Sequence, residues 1–275
     1  MVDYTKKLVL ITGASSGIGR ETALEFAKKK VSLAVTGRNK EALSSLKILI
    51  ENAGGKAKIF PFDLKNTSEI PYLVNDIEKA FNSNIDVLIN NAGVGLFGLI
   101  ENIPQEEFLQ IMKVNYFAPI ALTQAVIPKM KKNKFGLIIN ILSGTAKRGL
   151  PFLSAYCSSK SALSVFTESL RVELAHYGIK IMSFYPGLVE TSFTERSKGF
   201  GIELNQFYEG KMISPQIVAK KIVNASENLK REVILSNKTK IAAYLNILAP
   251  QIFDYFLGRK LSREQISSKS KKLVT

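Results

Sequence analysis

With 275 residues, 46% of them hydrophobic and 22% charged, the chain can bury a full core and has the balance of an ordinary soluble globular protein. Its only cysteine, Cys157, excludes an intramolecular disulfide, and no run of about 18 uncharged apolar residues offers a membrane-spanning helix. The net charge of +15 suits anionic partners, yet the lysines are scattered and no nucleic-acid-binding motif accompanies them, so no nucleic-acid partner is expected.

Met1–Lys7 lacks the apolar core of a signal peptide, and the apolar run behind it passes straight into a glycine loop, as a first strand would. Short apolar runs predict strands at Leu8–Thr12, Ser32–Thr36, Lys58–Phe62, Val87–Asn90, Leu137–Leu142, Lys180–Tyr185 and Glu232–Leu235. Between them the spacing predicts helices at Ile18–Lys30, Lys40–Ala53, Ser68–Asn82, Pro104–Lys132, Ala155–Ala175 and Pro215–Asn228. Several strands are apolar throughout, as strands buried on both faces of a parallel sheet are. Strand–helix alternation of this period predicts an α/β fold with one doubly wound parallel sheet of about seven strands and helices on both faces. Residues 1–275 are read as a single domain, without repeats or an interdomain linker. Residues 190–212 break the pattern, with Phe193, Phe200, Phe207 and Tyr208 among glycines and charges, and are expected to form a lid or an irregular connection.

Thr12-Gly13-Ala14-Ser15-Ser16-Gly17-Ile18-Gly19 follows the first strand and opens a helix. Gly13 permits the tight turn, Gly17 lets the backbone approach a pyrophosphate at the helix N-terminus, and Gly19 allows close packing of helix on sheet. Ser15, Ser16 and Ile18 belong to the same cradle. After the second strand, where an NAD site often has an acid, this chain has Gly37-Arg38. A guanidinium there pairs with an adenosine 2′-phosphate, so NADP(H) is preferred and NAD(H) is the alternative. Asp63-Leu64, after the third strand, can reach an adenine amino group. Asn90, Ala92 and Gly93, after the fourth, let the chain pass the cofactor. For Asn90 a structural hydrogen bond between strands is an equal alternative.

Tyr156 and Lys160 are four residues apart, which on a helix puts a phenol and an ammonium on one face. A neighbouring cation favours the phenolate and brings an otherwise weak acid-base group toward working pH. Ser143 precedes them, just after an apolar strand. His176, the only histidine, sits near a helix end and is read as packing or capping, and Cys157 as a small packed residue. No metal site is expected.

Taken in order, Thr12 to Gly19, Asp63, Asn90 to Gly93, Asn115, Ser143, Tyr156, Lys160 and Pro186-Gly187 with Thr191 resemble the short-chain dehydrogenase/reductase family, with its Rossmann-type fold, over about Leu8 to Leu235. None departs from the family's active pattern. The resemblance implies that Tyr156 exchanges a proton with a carbonyl or alcohol oxygen, that Ser143 polarises it, and that Lys160 binds the nicotinamide ribose. It implies that Asn115 holds a water of a proton relay, and that Pro186, Gly187, Val189 and Thr191 contact the nicotinamide end. It further implies a small carbonyl or alcohol substrate and a homodimer or homotetramer formed through helices Pro104–Lys132 and Ala155–Ala175. The expected location is cytoplasmic. NAD-linked alcohol oxidation and a non-catalytic NADP(H)-sensing binder are the rival readings.

Beyond the seventh strand the chain continues as an extension, about 236–275. Residues 241–257 are rich in large apolar groups with Lys238, Lys240, Arg259, Lys260 and Arg263 around them, and Pro250 should break or restart a helix. Two short apolar helices with basic flanks can meet a membrane surface through about 241–260, cap the core, extend a dimer or wall the substrate pocket. The extension is similar in composition to those of family reductases acting on lipid-like ketones such as 3-ketosphinganine. Ser267 to Thr275, polar and lysine-rich, is expected to be disordered.

Overall fold

The computed structural model describes residues 1–201 and 212–259. Seven strands form one wholly parallel sheet: β1 (Leu8–Thr12), β2 (Ser32–Gly37), β3 (Lys56–Pro61), β4 (Val87–Asn90), β6 (Gly136–Ile141), β7 (Ile179–Tyr185) and β9 (Glu232–Ile234). Their order is β3-β2-β1-β4-β6-β7-β9. The chain therefore winds outward from β1 in one direction, then returns to start again at β4. That reversal opens a crevice at the carboxyl ends of β1 and β4, where ligands of such sheets bind.

Alternation along each strand builds two cores. Val9 and Ile11 of β1 face a layer holding α1 (Gly17–Ala27), α2 (Lys40–Asn52) and α7 (Pro215–Glu227), with Phe26, Leu43 and Ile222 fully buried. Leu8 and Leu10 face the opposite layer of α3 (Ile70–Phe81), α5 (Ala118–Asn133) and α6 (Ser154–Glu173), through Ile77, Leu122 and Leu170. Each such fully buried side chain contributes about 1.5–3 kcal/mol. Helix starts are fixed locally. The Asn39 side chain accepts the Ala42 amide at 2.7 Å to begin α2, and Ser214 accepts the Ile217 amide ahead of Pro215 to begin α7.

The predicted helix Pro104–Lys132 is three pieces: α4 (Gln105–Met112), a π-helical turn (Lys113–Phe117) carrying Asn115, and α5. A short strand β5 (Leu96–Gly98) pairs in parallel with β8 (Lys198–Phe200), which ties the 190–201 segment to the chain beyond β4. Phe207 and Tyr208, and the segment Ser267 to Thr275, lie outside the described residues. The extension does form two helices, α8 (Asn237–Leu248) and a segment at 250–259, separated just ahead of Pro250. Among the described residues no helix is long and apolar enough to cross a membrane.

Candidate active site

One cleft of about 610 Å³ runs along the carboxyl ends of β1, β2, β4, β6 and β7. At one end the β1–α1 loop supplies Gly13, Ser15, Ser16, Gly17 and Ile18. Gly13 has φ +65°, and a Cβ there would come within 2.8 Å of the Ala92 Cα, so only glycine lets this loop lie against the turn after β4. Thr12 fixes the same junction. Its Oγ1 donates to the Ile89 carbonyl at 3.2 Å and accepts the Asn91 and Ala92 amides, each at 3.0 Å. The first turn of α1 carries no acidic residue, and Ser16 at its N-cap makes no side-chain capping bond. Its amides are thus left to face an anion in the cleft.

Arg38, exposed at the end of β2, and Asp63, Leu64 and Lys65 beyond β3 line the next stretch. The Phe62 amide donates to the Gly37 carbonyl at 2.9 Å, which holds these two turns side by side. Lys65 is a second cation at this end that the sequence reading missed, because nothing in its spacing separates it from the many other lysines.

The far end is built on β6, α6 and the segment after β7. Ser143 follows β6, and its Oγ accepts the Thr145 amide at 3.3 Å. Tyr156 and Lys160 project from one face of α6 into the cleft, with the Tyr156 ring 5.8 Å from that of Phe193. Lys160 is only 4% exposed. Its Nζ donates to the Ile141 carbonyl at 3.0 Å, and burial pushes its pKa down to about 8. Pro186, Gly187, Leu188, Val189 and Thr191 close the same end. This segment is held by the Ile213 amide donating to the Leu188 carbonyl (2.8 Å) and the Glu190 amide to the Ile213 carbonyl (3.0 Å).

Three residues expected in the site do not line the cleft. Gly19 packs instead, since a Cβ there would collide with Asn91 Nδ2 and the Gly13 carbonyl. Asn90 is buried between strands, its Nδ2 donating to Asn140 Oδ1 at 2.8 Å, and its neighbour Asn91 lines the cleft instead. Asn90 thus makes the structural bond between strands that was one of its two expected roles, while Asn91 Nδ2 donates to the Thr12 carbonyl at 2.9 Å and braces the β1–α1 junction. Asn115 is fully buried. Its Oδ1 accepts the Val94 amide (2.9 Å) while Nδ2 donates to the Val94 carbonyl and to Ser159 Oγ, both at 3.0 Å. Ser159 in turn donates to the Tyr156 carbonyl at 2.8 Å. The π turn thereby locks the loop after β4 to the helix that carries Tyr156.

Cys157 is buried behind the site. Its Sγ accepts the Leu150 amide at 3.4 Å, and burial raises its thiol pKa, so it serves as a packed support for the 150–153 loop. His176 packs its ring on Tyr177 at 3.9 Å. Among the described residues no cluster of His, Cys, Asp or Glu could hold a metal ion.

A family model described as short chain dehydrogenase matches residues 7–199. The chain is 34% identical over 270 residues to "Dehydrogenase/reductase SDR family member 7B" of Xenopus tropicalis, covering 94% of this chain and 86% of that one. It is 33% identical over 261 residues to "Ketoacyl reductase HetN" of a Nostoc strain, covering 92% and 89%. A metagenomic short-chain oxidoreductase solved in complex with NADP superposes with a TM-score of 0.72 at 27% identity, over 85% of this chain and 98% of that one.

Proposed function

The chain belongs to the short-chain dehydrogenase/reductase family of oxidoreductases, and from that premise we propose that it is an NADPH-dependent carbonyl reductase acting on a hydrophobic, lipid-like substrate. The observation that carries the proposal is one cleft with a glycine cradle, Arg38 and Lys65 at one end and Ser143, Tyr156 and buried Lys160 at the other.

The residues fit a nicotinamide dinucleotide: the α1 N-terminus receives the pyrophosphate, Arg38 and Lys65 the adenosine end, and Pro186 to Thr191 the nicotinamide end. When bound, the cofactor supplies the hydride. The protein's own work is proton transfer and alignment. Tyr156 Oη gives its proton to the substrate oxygen as that oxygen gains charge, and Ser143 Oγ donates a hydrogen bond to the same atom. Lys160 favours the phenolate left behind and binds the nicotinamide ribose. Asn115, with both Nδ2 donors and one Oδ1 lone pair engaged, holds the relay water with the accepting capacity that remains. Val94, Phe97, Leu150, Phe152 and Phe193 give the substrate end an apolar wall. The direct test is loss of NADPH absorbance against carbonyls graded from small aldehydes to 3-keto lipids in micelles. No turnover anywhere on that series, in a protein that binds NADPH, would favour a non-catalytic binder.

Two expected outcomes attach to this reading. Arg38→Asp should shift the NADPH/NADH ratio of kcat/KM by about 10–100-fold, the worth of one charge-assisted bond of roughly 1.5–3 kcal/mol. An unchanged ratio would remove Arg38 from cofactor selection. The second concerns assembly. Phe117 is exposed at the end of the π turn that leads into α5, and Val165 and Val172 are exposed on α6, two helical turns apart on one face. That face is read as the contact with a second copy of the chain in a homodimer or homotetramer. Val165→Glu with Val172→Glu should yield a monomer by light scattering, and an unchanged mass would place the contact elsewhere. A cytoplasmic location, with peripheral contact of residues 241–260 with a lipid surface, completes the reading.

A further inference from the structure

The two helices of the extension have opposite faces with different work. On α8, Thr239, Ala242 and Ala243 line the cleft, and Asn246 on the same stripe accepts a hydrogen bond from Arg148. In the 250–259 helix Phe253 and Leu257 line the cleft, Arg148 lies 4.9 Å over the Phe253 ring, and Asp254 pairs with the Arg148 guanidinium. Arg148 belongs to the loop that begins at Ser143. The inner faces are therefore a wall of the substrate end, clamped to the loop of the polarising serine.

The outer faces repeat the same spacing with large apolar side chains that stand exposed among the described residues. Ile241, Tyr244, Leu245 and Leu248 follow i, i+3, i+4, i+7 on α8, and all are exposed, Leu248 by 80%. Ile252, Tyr255 and Phe256 follow i, i+3, i+4 in the second helix, also exposed. A water-facing surface helix should be polar on that side. Lys240 and Arg259 are exposed beside the patch, Lys238 stands at the cleft edge of α8, and Arg259 donates to Tyr255 Oη at 3.0 Å. From 237 to 259 the only acid is Asp254, which Arg148 engages. Residues 260–275 add five lysines and arginines against one glutamate. A second copy docking face to face would set these like charges against each other. An anionic lipid interface takes the apolar face and neutralises the rim together.

We infer that the outer faces of α8 and residues 250–259 form a docking surface for an anionic membrane interface, which sets the substrate end of the cleft against the lipid. The inference deepens the reading of the site above and rests on it for the substrate's being a hydrophobic carbonyl; the docking itself does not depend on turnover. The lipid then delivers the substrate directly to a wall that is itself part of the docked element.

The test is co-sedimentation of the full chain with vesicles of phosphatidylcholine, with and without phosphatidylserine. The wild type should bind the anionic vesicles and lose binding as salt rises. Leu248→Glu with Phe256→Glu changes only exposed positions and should weaken binding by about tenfold or more. Tyr72→Glu, at an equally exposed apolar residue on α3, should leave it intact. Docking is overturned if the wild type stays in the supernatant, if the double variant binds as well as the wild type, or if that variant changes molecular mass by light scattering and leaves vesicle binding alone. A protein that binds vesicles but reduces no carbonyl would retain the docking surface and lose the reductase reading.

Discussion

Tyr156→Phe should lower kcat by about 10²–10⁴-fold, the range for losing a positioned general acid, while NADPH still binds. Phenylalanine keeps the ring, its 5.8 Å contact with Phe193 and the packing of α6, and removes one oxygen. The cofactor cradle at the β1–α1 loop stands at the other end of the cleft and is untouched. Rapid-mixing turnover on the best carbonyl, with NADPH affinity read separately by fluorescence, distinguishes the outcomes. A variant within tenfold of wild type would mean that water or another group protonates the substrate oxygen. A variant that no longer binds NADPH would mean that the hydroxyl holds the cofactor instead.

What could be read in the residues follows a physical line. β1, β4 and β6 are buried on both faces, so their sequences are apolar without alternation and stand out from the helices. Tyr156 and Lys160 were legible because helical spacing alone puts them on one face. Asn90 and Asn91 show where that logic stops. Asn90 ends β4 and Asn91 lies just beyond it, and the register Asn90↔Asn140 is what ties Asn90 to its neighbour strand while Asn91 lines the cleft. β5 and β8 are three residues each and exist only because residues 96–98 and 198–200 meet in space, which no local pattern encodes. The π turn at Asn115 is equally silent, since the bonds its side chain makes, to Val94 and Ser159, reach residues far off in sequence.

The extension shows a subtler limit. Residues 241–257 read as apolar on every side, which fits a core cap, a dimer, a membrane or a pocket wall. Only the contact of Arg148 with Asn246 and Asp254 tells which stripe turns inward. Once that stripe is assigned, the inner face walls the cleft and the remaining apolar stripe is left facing out.

Lys160→Met joins the catalytic and the structural roles of one residue. Turnover should fall by at least about 10²-fold, because the phenolate of Tyr156 loses its neighbouring cation. The stability comparison is more specific. Burial lowers the folded-state pKa of Lys160 from 10.5 to about 8. Below about 8 the lysine is charged in both states, and folding carries the full cost of burying an ammonium, about 3 kcal/mol for a shift of this size. Between about 8 and 10.5 the unfolded chain binds the extra proton and the native protein does not, so wild-type stability rises with pH. Methionine has no such titration. It does leave the Ile141 carbonyl without its donor at every pH, since neutral lysine still donates, and the difference between the charged and the neutral donor is already contained in the folded-state pKa. Urea unfolding of both cofactor-free proteins across this range, each in the Tyr156→Phe background so that the neighbouring phenol does not titrate, should therefore show the Lys160 protein gaining on the Lys160→Met protein by about 3 kcal/mol, most of it above pH 8. A difference that stays flat would mean that Lys160 keeps an ordinary pKa in the folded protein, and that its charge is solvated far better than its burial implies.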